Sequence, residues 1–234
     1  MRIAIIPARG GSKRIPQKNI RDFMGKPMLQ WAIEAANACG LFSHIVVSTD
    51  DSQIADVAFR SGAQVPFMRP AHLADDYAVT RDVINHAIRE CESAYGKFDQ
   101  CCCIYSTSPF LTADDLSSAF QILQTDAVPF VFSATTYHYP IQRAFFTDEA
   151  GRIQMFQPEH AKTRSQDLKP AFHDAGMFYW GRSRAFLDNE PMFSGESRPF
   201  LIPSHRVCDL DTLEDWERAE WMMQAKMLAA NAYA

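Results

Sequence analysis

Apolar residues along this chain fall into short continuous runs and longer stretches of helical spacing, and the two kinds alternate. The run Ile3-Ala4-Ile5-Ile6 breaks at Pro7, as a short buried strand would. From Met28 to Cys39, Leu29, Ala32, Ile33 and Ala36 recur on one helical face, and Gly40 supplies the stop. His44 to Thr49 reads as a second strand, and Asp50-Asp51 can cap a helix over Ser52 to Arg60 that Gly62 closes. Ala63 to Met68 reads as a third, short strand. Strand, helix, strand, helix, strand is the order of an α/β fold: a Rossmann-like, mostly parallel sheet with helices on both faces.

The pattern continues with an amphipathic helix over Thr80 to Cys91 and a fourth strand over Gln100 to Tyr105. Thr112-Ala-Asp-Asp115 is a capping box opening a helix whose core stripe is Leu116, Ala119, Phe120 and Leu123. Phe130 to Thr135 is the fifth strand. Periodicity then fails from Thr136 to Phe172 except for a strand-like Arg152 to Phe156, and a stretch this long is a functional segment or an interface. Phe172 to Trp180 is a strand ending at Gly181, Ser183 to Leu187 a short helix, and Phe200 to Pro203 an edge strand. Thr212, with Asp215, can cap a last helix over Leu213 to Ala230. Trp216, Met223 and Met227 form its core stripe, before an Ala-rich tail.

With 234 residues, 47% of them hydrophobic, the chain can bury a full core, and a single domain over 1–234 is expected, with 136–172 as its excursion. No stretch reaches the roughly 20 apolar residues that span a bilayer, and the N-terminus enters the first strand without a charged-then-apolar leader. A cytoplasmic protein without a membrane partner is expected. A net charge of -5 and a pI near 5.8 argue against nucleic acid. None of the six cysteines forms a C-x-x-C pair, and three of them sit together in the strand at 101–103, which reads as core packing. The seven histidines are scattered and read as satisfied surface or core residues.

Charge changes the picture at one place. Arg9, Lys13, Arg14, Lys18, Arg21 and Lys26 fall within eighteen residues, opposed only by Asp22, and interleave with Gly10, Gly11 and Ser12. Glycines let backbone N–H groups approach oxyanions, and guanidinium and ammonium groups supply charge-assisted bonds, so a nucleoside triphosphate is the natural guest. Neither G-x-x-x-x-G-K-[ST] nor G-x-G-x-x-G occurs here, which counts against P-loop ATPases and against a nicotinamide-dependent Rossmann oxidoreductase, the alternative from another class. A second constellation is Asp209-Leu-Asp211: on an extended segment the two carboxylates face one way, and beside a triphosphate loop they read as ligands for Mg²⁺.

Ile-Pro-Ala-Arg-Gly-Gly-Ser-Lys-Arg-Ile-Pro-Gln-Lys-Asn-Ile, from Ile6 to Ile20, resembles the first signature of the cytidylyltransferases that activate nonulosonic (sialic-type) acids as CMP-sugars. The resemblance runs across nearly the entire chain. It implies the nucleotidyltransferase type of fold and a CTP site in which Arg9, Ser12 and Lys13, with the turn at Gly10 and Gly11, hold the triphosphate. Lys18 would lie near the phosphate under attack, and Asn19 would help read cytosine. Arg69, in Arg-Pro-Ala-His-Leu-Ala, matches a family segment that reaches the phosphates, and Thr107 and Ser108 belong to a Pro-Thr-Ser-Pro-type turn in which Ser106 replaces the first proline. Tyr105 stands where sialic-acid enzymes tend to have glutamine, and Asp174-Ala-Gly176 where they have an Asn-Gly-type turn. Pro-Ile-Gln-Arg-Ala-Phe and His-Asp-Ala-Gly-Met-Phe-Tyr-Trp look instead like the branch acting on pseudaminic acid; sialic or legionaminic acid is the alternative substrate.

The implied reaction is attack of the sugar's anomeric hydroxyl on the α-phosphorus of CTP, with loss of pyrophosphate. Arg9 and Lys18 would serve it beside metal-binding Asp209 and Asp211. The acidic nine-carbon sugar needs a cation for its carboxylate, and Arg143 and Arg164 are the residues the sequence offers, with Tyr105 and Asp174 lining the same site. The family uses an excursion like 136–172 to pair subunits and cover the sugar, so a homodimer is expected.

Overall fold

A computed structural model describes residues 1–232 of the chain; the last two residues of the Ala-rich tail, 233–234, lie outside the described part. In chain order the elements are β1 (Arg2–Pro7), β2 (Asp22–Phe23), β3 (Lys26–Pro27), α1 (Met28–Ala38), β4 (His44–Ser48), α2 (Ser52–Arg60), α3 (Thr80–Tyr95) and β5 (Gln100–Ile104). After them come α4 (Ala113–Thr125), β6 (Phe130–Thr136), β7 (Phe145–Thr147), β8 (Ile153–Met155), β9 (Phe172–Arg182), α5 (Ser183–Leu187), β10 (Arg198–Leu201) and α6 (Leu213–Ala232). Six strands form one sheet in the order β10-β6-β9-β5-β1-β4. All run parallel except β9, which is antiparallel to both of its neighbours. The chain leaves β6 at the carboxyl edge, builds the 136–172 arm there and re-enters the sheet from the same edge, so β9 can only run back.

Strand alternation splits the core. Ala4, Ile6, Cys102 and Ile104 face α1, α2, α4 and α6, whereas Ile3, Ile5, Cys101 and Cys103 face α3 and α5. The sheet is thus covered on both sides, and all six cysteines are free, three of them filling the centre of β5. A bulge where the β6/β9 register shifts at Phe132/Ala134 would strand two N–H groups; the buried Ser133 hydroxyl accepts from both Met177 N at 3.0 Å and Phe178 N at 3.1 Å. That repair fixes how the amino end of β9 meets the carboxyl edge.

Four expectations need correction. Ala63 to Met68 is not a strand: it makes one parallel bridge, Gln64 to Val46, because Pro66 removes the next ladder donor. The basic stretch, read only as a loop, closes on a two-stranded ribbon of β2 and β3 turned at Met24-Gly25, both at positive φ. In α6, Met227 is exposed and Ala219 takes its place in the buried stripe with Trp216 and Met223. The edge strand lies at Arg198–Leu201, two residues earlier than its apolar run suggests. Both capping boxes form, at Thr112/Asp115 and Thr212/Asp215, and Asp51 caps α2. Among the described residues no helix is long and apolar enough to cross a membrane.

Candidate active site

Five parallel strands deliver their carboxyl ends, and β9 its amino end, to one edge of the sheet, which is where ligands sit in open α/β folds. After β1 the chain turns through Gly10, whose N–H donates to Asp50 Oδ1 at 3.0 Å. A Cβ at Gly10 would stand 2.7 Å from Asp51 Oδ2, so only glycine lets this turn pass the cap of α2. Gly11 has open space around it. The loop is held from within by Asn19, which is buried: its amide N–H donates to the Arg9 carbonyl at 2.8 Å and its carbonyl accepts from Ser106 Oγ at 2.7 Å. Asn19 therefore ties the basic loop to the turn after β5, a structural use of the residue that the resemblance assigned to reading cytosine.

A cavity of about 290 Å³ opens over this loop, lined by Arg9, Ser12, Lys13, Lys18, Asn19, Arg69 and Thr107 among others. Gly10 and Gly11 do not line it, nor does Ser108, which is buried with its hydroxyl donating to the Met177 carbonyl at 3.4 Å. Arg69 is buried against the end of β4, donating through Nε to Ser48 Oγ at 3.1 Å and through Nη2 to the Ser48 carbonyl. Burial pulls its guanidinium down to about 10, so it still enters neutral solution charged. Arg9 donates to the Asp75 carbonyl at 2.8 Å and pairs with Asp76 at 2.9 Å, and Lys13 pairs with the other oxygen of Asp76 at 2.5 Å. Hydrogen bonding to Lys13 holds the Asp76 carboxyl below its ordinary range.

The second sequence constellation arrives at the same loop across the length of the chain. Asp211 accepts from Arg14 at 2.8 Å and lies 3.9 Å from Lys18 Nζ, which in turn donates to the Leu210 carbonyl at 2.7 Å. Burial lowers the Lys18 ammonium's pKa, and Asp211 and Asp209 pull the other way. Asp209 is raised, first by loss of solvent around its carboxyl and then by the like charge of Asp211. Two carboxylates that repel one another at a common point, with oxygens available to solvent, suit a hard divalent cation, which would relieve that repulsion. Among the described residues no group of three or more His, Cys, Asp or Glu side chains converges as a closed metal cage, so Asp209 and Asp211 are the pair that could hold one, with the rest of its shell coming from water or ligand oxygens.

A larger cavity of about 910 Å³ lies beyond, sharing Lys18, Tyr105 and Thr107 with the first. Asp174, Tyr179, Asp209, Arg218 and three histidines, His138, His173 and His205, line it. Asp174 accepts from Gly176 N at 2.9 Å and from the Tyr179 hydroxyl, while Tyr105 meets Thr80 Oγ1 at 3.2 Å and packs edge-on against Tyr179. Burial pushes both tyrosine hydroxyls up, so they act as neutral donors and acceptors. Arg143 and Arg164 are not in this cavity: both are exposed on the arm, Arg143 reaching Ser165 Oγ at 3.4 Å and Arg164 paired with Asp167 at 2.8 Å.

Sequence reasoning missed Asp76 and gave Arg14 no role of its own; in the second cavity it named Lys18, Tyr105, Thr107, Asp174 and Asp209 but missed Tyr179, Arg218 and the three histidines. Arg218 had a usable signal: it lies seven residues after Asp211, within the opening turns of the helix that this segment caps, so the two had to share a neighbourhood. The histidines, dismissed as scattered, come from the arm, β9 and the turn after β10, and only the fold collects them.

The cytidylyltransferase family profile matches residues 3–219 of the chain. Over 218 residues, 93% of this chain and 94% of the other, it is 46% identical to a pseudaminic acid cytidylyltransferase of Campylobacter jejuni. It is 33% identical to a CMP-N,N'-diacetyllegionaminic acid synthase of Legionella pneumophila, over 95% of this chain and 96% of that one. Among solved structures it resembles a CMP:2-keto-3-deoxy-manno-octonic acid synthetase at a TM-score of 0.71 and 17% identity, covering 96% and 99% of the two chains, a likeness that speaks for the fold alone.

Proposed function

This chain belongs to the cytidylyltransferase family, and from that premise we propose that it transfers CMP from CTP to the anomeric hydroxyl of pseudaminic acid, releasing pyrophosphate. The observation that carries the reading is the position of Lys18: it lies on the wall common to two cavities, with the basic glycine loop on one side and the Asp209/Asp211 pair beside it. CTP takes the smaller cavity with its triphosphate on Arg9, Ser12, Lys13 and Arg69, and the sugar takes the larger one. The anomeric oxygen then reaches the α-phosphorus where the cavities join; the O–P bond to the sugar forms as the bond to the bridging oxygen of pyrophosphate breaks, and the hydroxyl proton is lost to solvent. Negative charge builds on the phosphoryl oxygens, and Lys18 is the fixed cation placed to stabilise it. Asp209 and Asp211 would hold Mg²⁺, which supplies screening of the leaving pyrophosphate and acidification of the attacking hydroxyl. Tyr105, Thr107, Asp174 and Tyr179 orient the sugar.

Pyrophosphate release measured with CTP and each of pseudaminic, legionaminic and N-acetylneuraminic acid tests the assignment. A kcat/KM about tenfold or more in favour of pseudaminic acid is expected, the discrimination a few pocket contacts provide; equal rates, or preference for another acid, would reject it.

The arm supports a homodimer. Of its side chains only Leu168 is buried, while Tyr137, Tyr139, Ile141, Phe145, Phe146, Ile153, Phe156 and Phe172 are all exposed. An apolar ribbon that does not pack on its own body is what a second copy covers. Arg143 and Arg164 ride on this arm, so any role of theirs in sugar binding requires the partner subunit. Phe145→Glu combined with Ile153→Glu is expected to convert the dimer to monomer in sedimentation while each copy still folds cooperatively, because both side chains are exposed within one copy; a monomeric parent, or a dimeric variant, rejects the arm as the interface.

A further inference from the structure

The larger cavity must neutralise a sugar carboxylate if the proposed reaction is right, and the two arginines expected to do so lie outside it. Within it, Lys18 and Arg218 are the two permanent cations among the lining residues. Lys18 is committed at the junction, donating to the Leu210 carbonyl at 2.7 Å beside Asp211. Arg218 projects from α6 into the cavity, held at one nitrogen: Nη2 donates to Asp215 Oδ1 at 2.7 Å and contacts Cys208 Sγ at 3.8 Å. Asp215 is itself fixed, its other oxygen accepting from Thr212 N and Oγ1 at 2.8 Å in the α6 capping box. A guanidinium anchored through one amino group keeps the remaining donors of its fork for a planar bidentate partner, the geometry a carboxylate matches. We infer that Arg218 is the residue that binds the carboxylate of the acidic sugar, an assignment that rests on the reading of the cavity as the acceptor site. Because the helix carrying Arg218 begins immediately after Asp211, carboxylate recognition and the reacting phosphate are set by one short piece of chain.

Steady-state pyrophosphate release by the purified full-length protein tests this with Arg218→Ala and Arg218→Lys, titrating CTP and pseudaminic acid separately. Loss of a charge-assisted pair predicts a KM for the sugar raised about ten- to a hundredfold in Arg218→Ala, with the KM for CTP changed by less than about threefold. Arg218→Lys keeps a charge near Asp215 but loses the fork, so its sugar KM should fall between the two. Unchanged sugar KM in both variants, or an equal rise in the CTP KM, overturns the inference. So does a larger effect on sugar KM from Arg143→Ala or Arg164→Ala than from Arg218→Ala. Should Arg218→Ala fail to fold, the lysine variant alone decides, since it retains the helix-capping partner. Failure of the parent protein to turn over any acidic sugar would instead remove the reading on which the inference stands.

Discussion

Asp211→Ala is expected to lower turnover by about a thousandfold or more, the loss of several kcal/mol of transition-state stabilisation, while leaving the fold intact. Its carboxylate pairs with Arg14 and lies beside Lys18, the residue on the wall common to the two cavities, and on the proposed reading it is one of two oxygen ligands to the catalytic cation. Structurally it is dispensable: its side chain is 37% and that of Arg14 67% exposed, so the pair contributes at most about 1 kcal/mol. In a protein of this size that moves Tm by no more than about 4 °C. Thermal unfolding and pyrophosphate release, measured on the same preparation, separate the two effects. Retained activity would dismiss Asp211 from the site, and collapse of the fold would make it a structural residue.

Lys18→Ala should cost about a hundred- to a thousandfold in kcat, as removal of one preorganised donor at a developing charge does elsewhere. Desolvation weakens its proton affinity, whereas Asp211 and Asp209 strengthen it, and an incoming triphosphate adds to that second effect. Charge on Lys18 is therefore favoured most when the phosphates are bound, which is the state that reacts. Lys18→Arg keeps the charge but not the compact ammonium geometry, and is expected to recover only part of the rate. If Lys18→Ala instead raised the KM for CTP with kcat unchanged, Lys18 would be a ground-state anchor and not a contributor to the chemical step.

Much of this was legible in the chain itself, and for identifiable reasons. Helices with strong caps, such as those opened by Thr112/Asp115 and Asp51, were recoverable because the capping residues act over three positions. The basic loop announced itself by charge density against an acidic background, and Asp209/Asp211 by spacing. Ala63 to Met68 misled because apolar content was weighed over Pro66, which cannot continue a ladder. Met227 misled because heptad-like spacing persists beyond the point where α6 still has a sheet to cover. The sugar side was hardest: Arg143 and Arg164 were chosen for their charge, but a side chain's address depends on which segment turns back into the sheet. Arg218 and the three histidines are collected from four separate parts of the fold, a grouping no local pattern contains.

Four of the five cations lining the nucleotide cavity already have an internal anion: Asp76 answers Arg9 and Lys13, and Asp211 answers Arg14 and Lys18, while Arg69 is held by Ser48. Arrival of a triphosphate is then a swap of counter-ions instead of capture by bare charge. A singly charged guest would displace one carboxylate for little gain, whereas a chain of three linked phosphates can replace both at once, so the loop filters its visitors by valence before it reads any base.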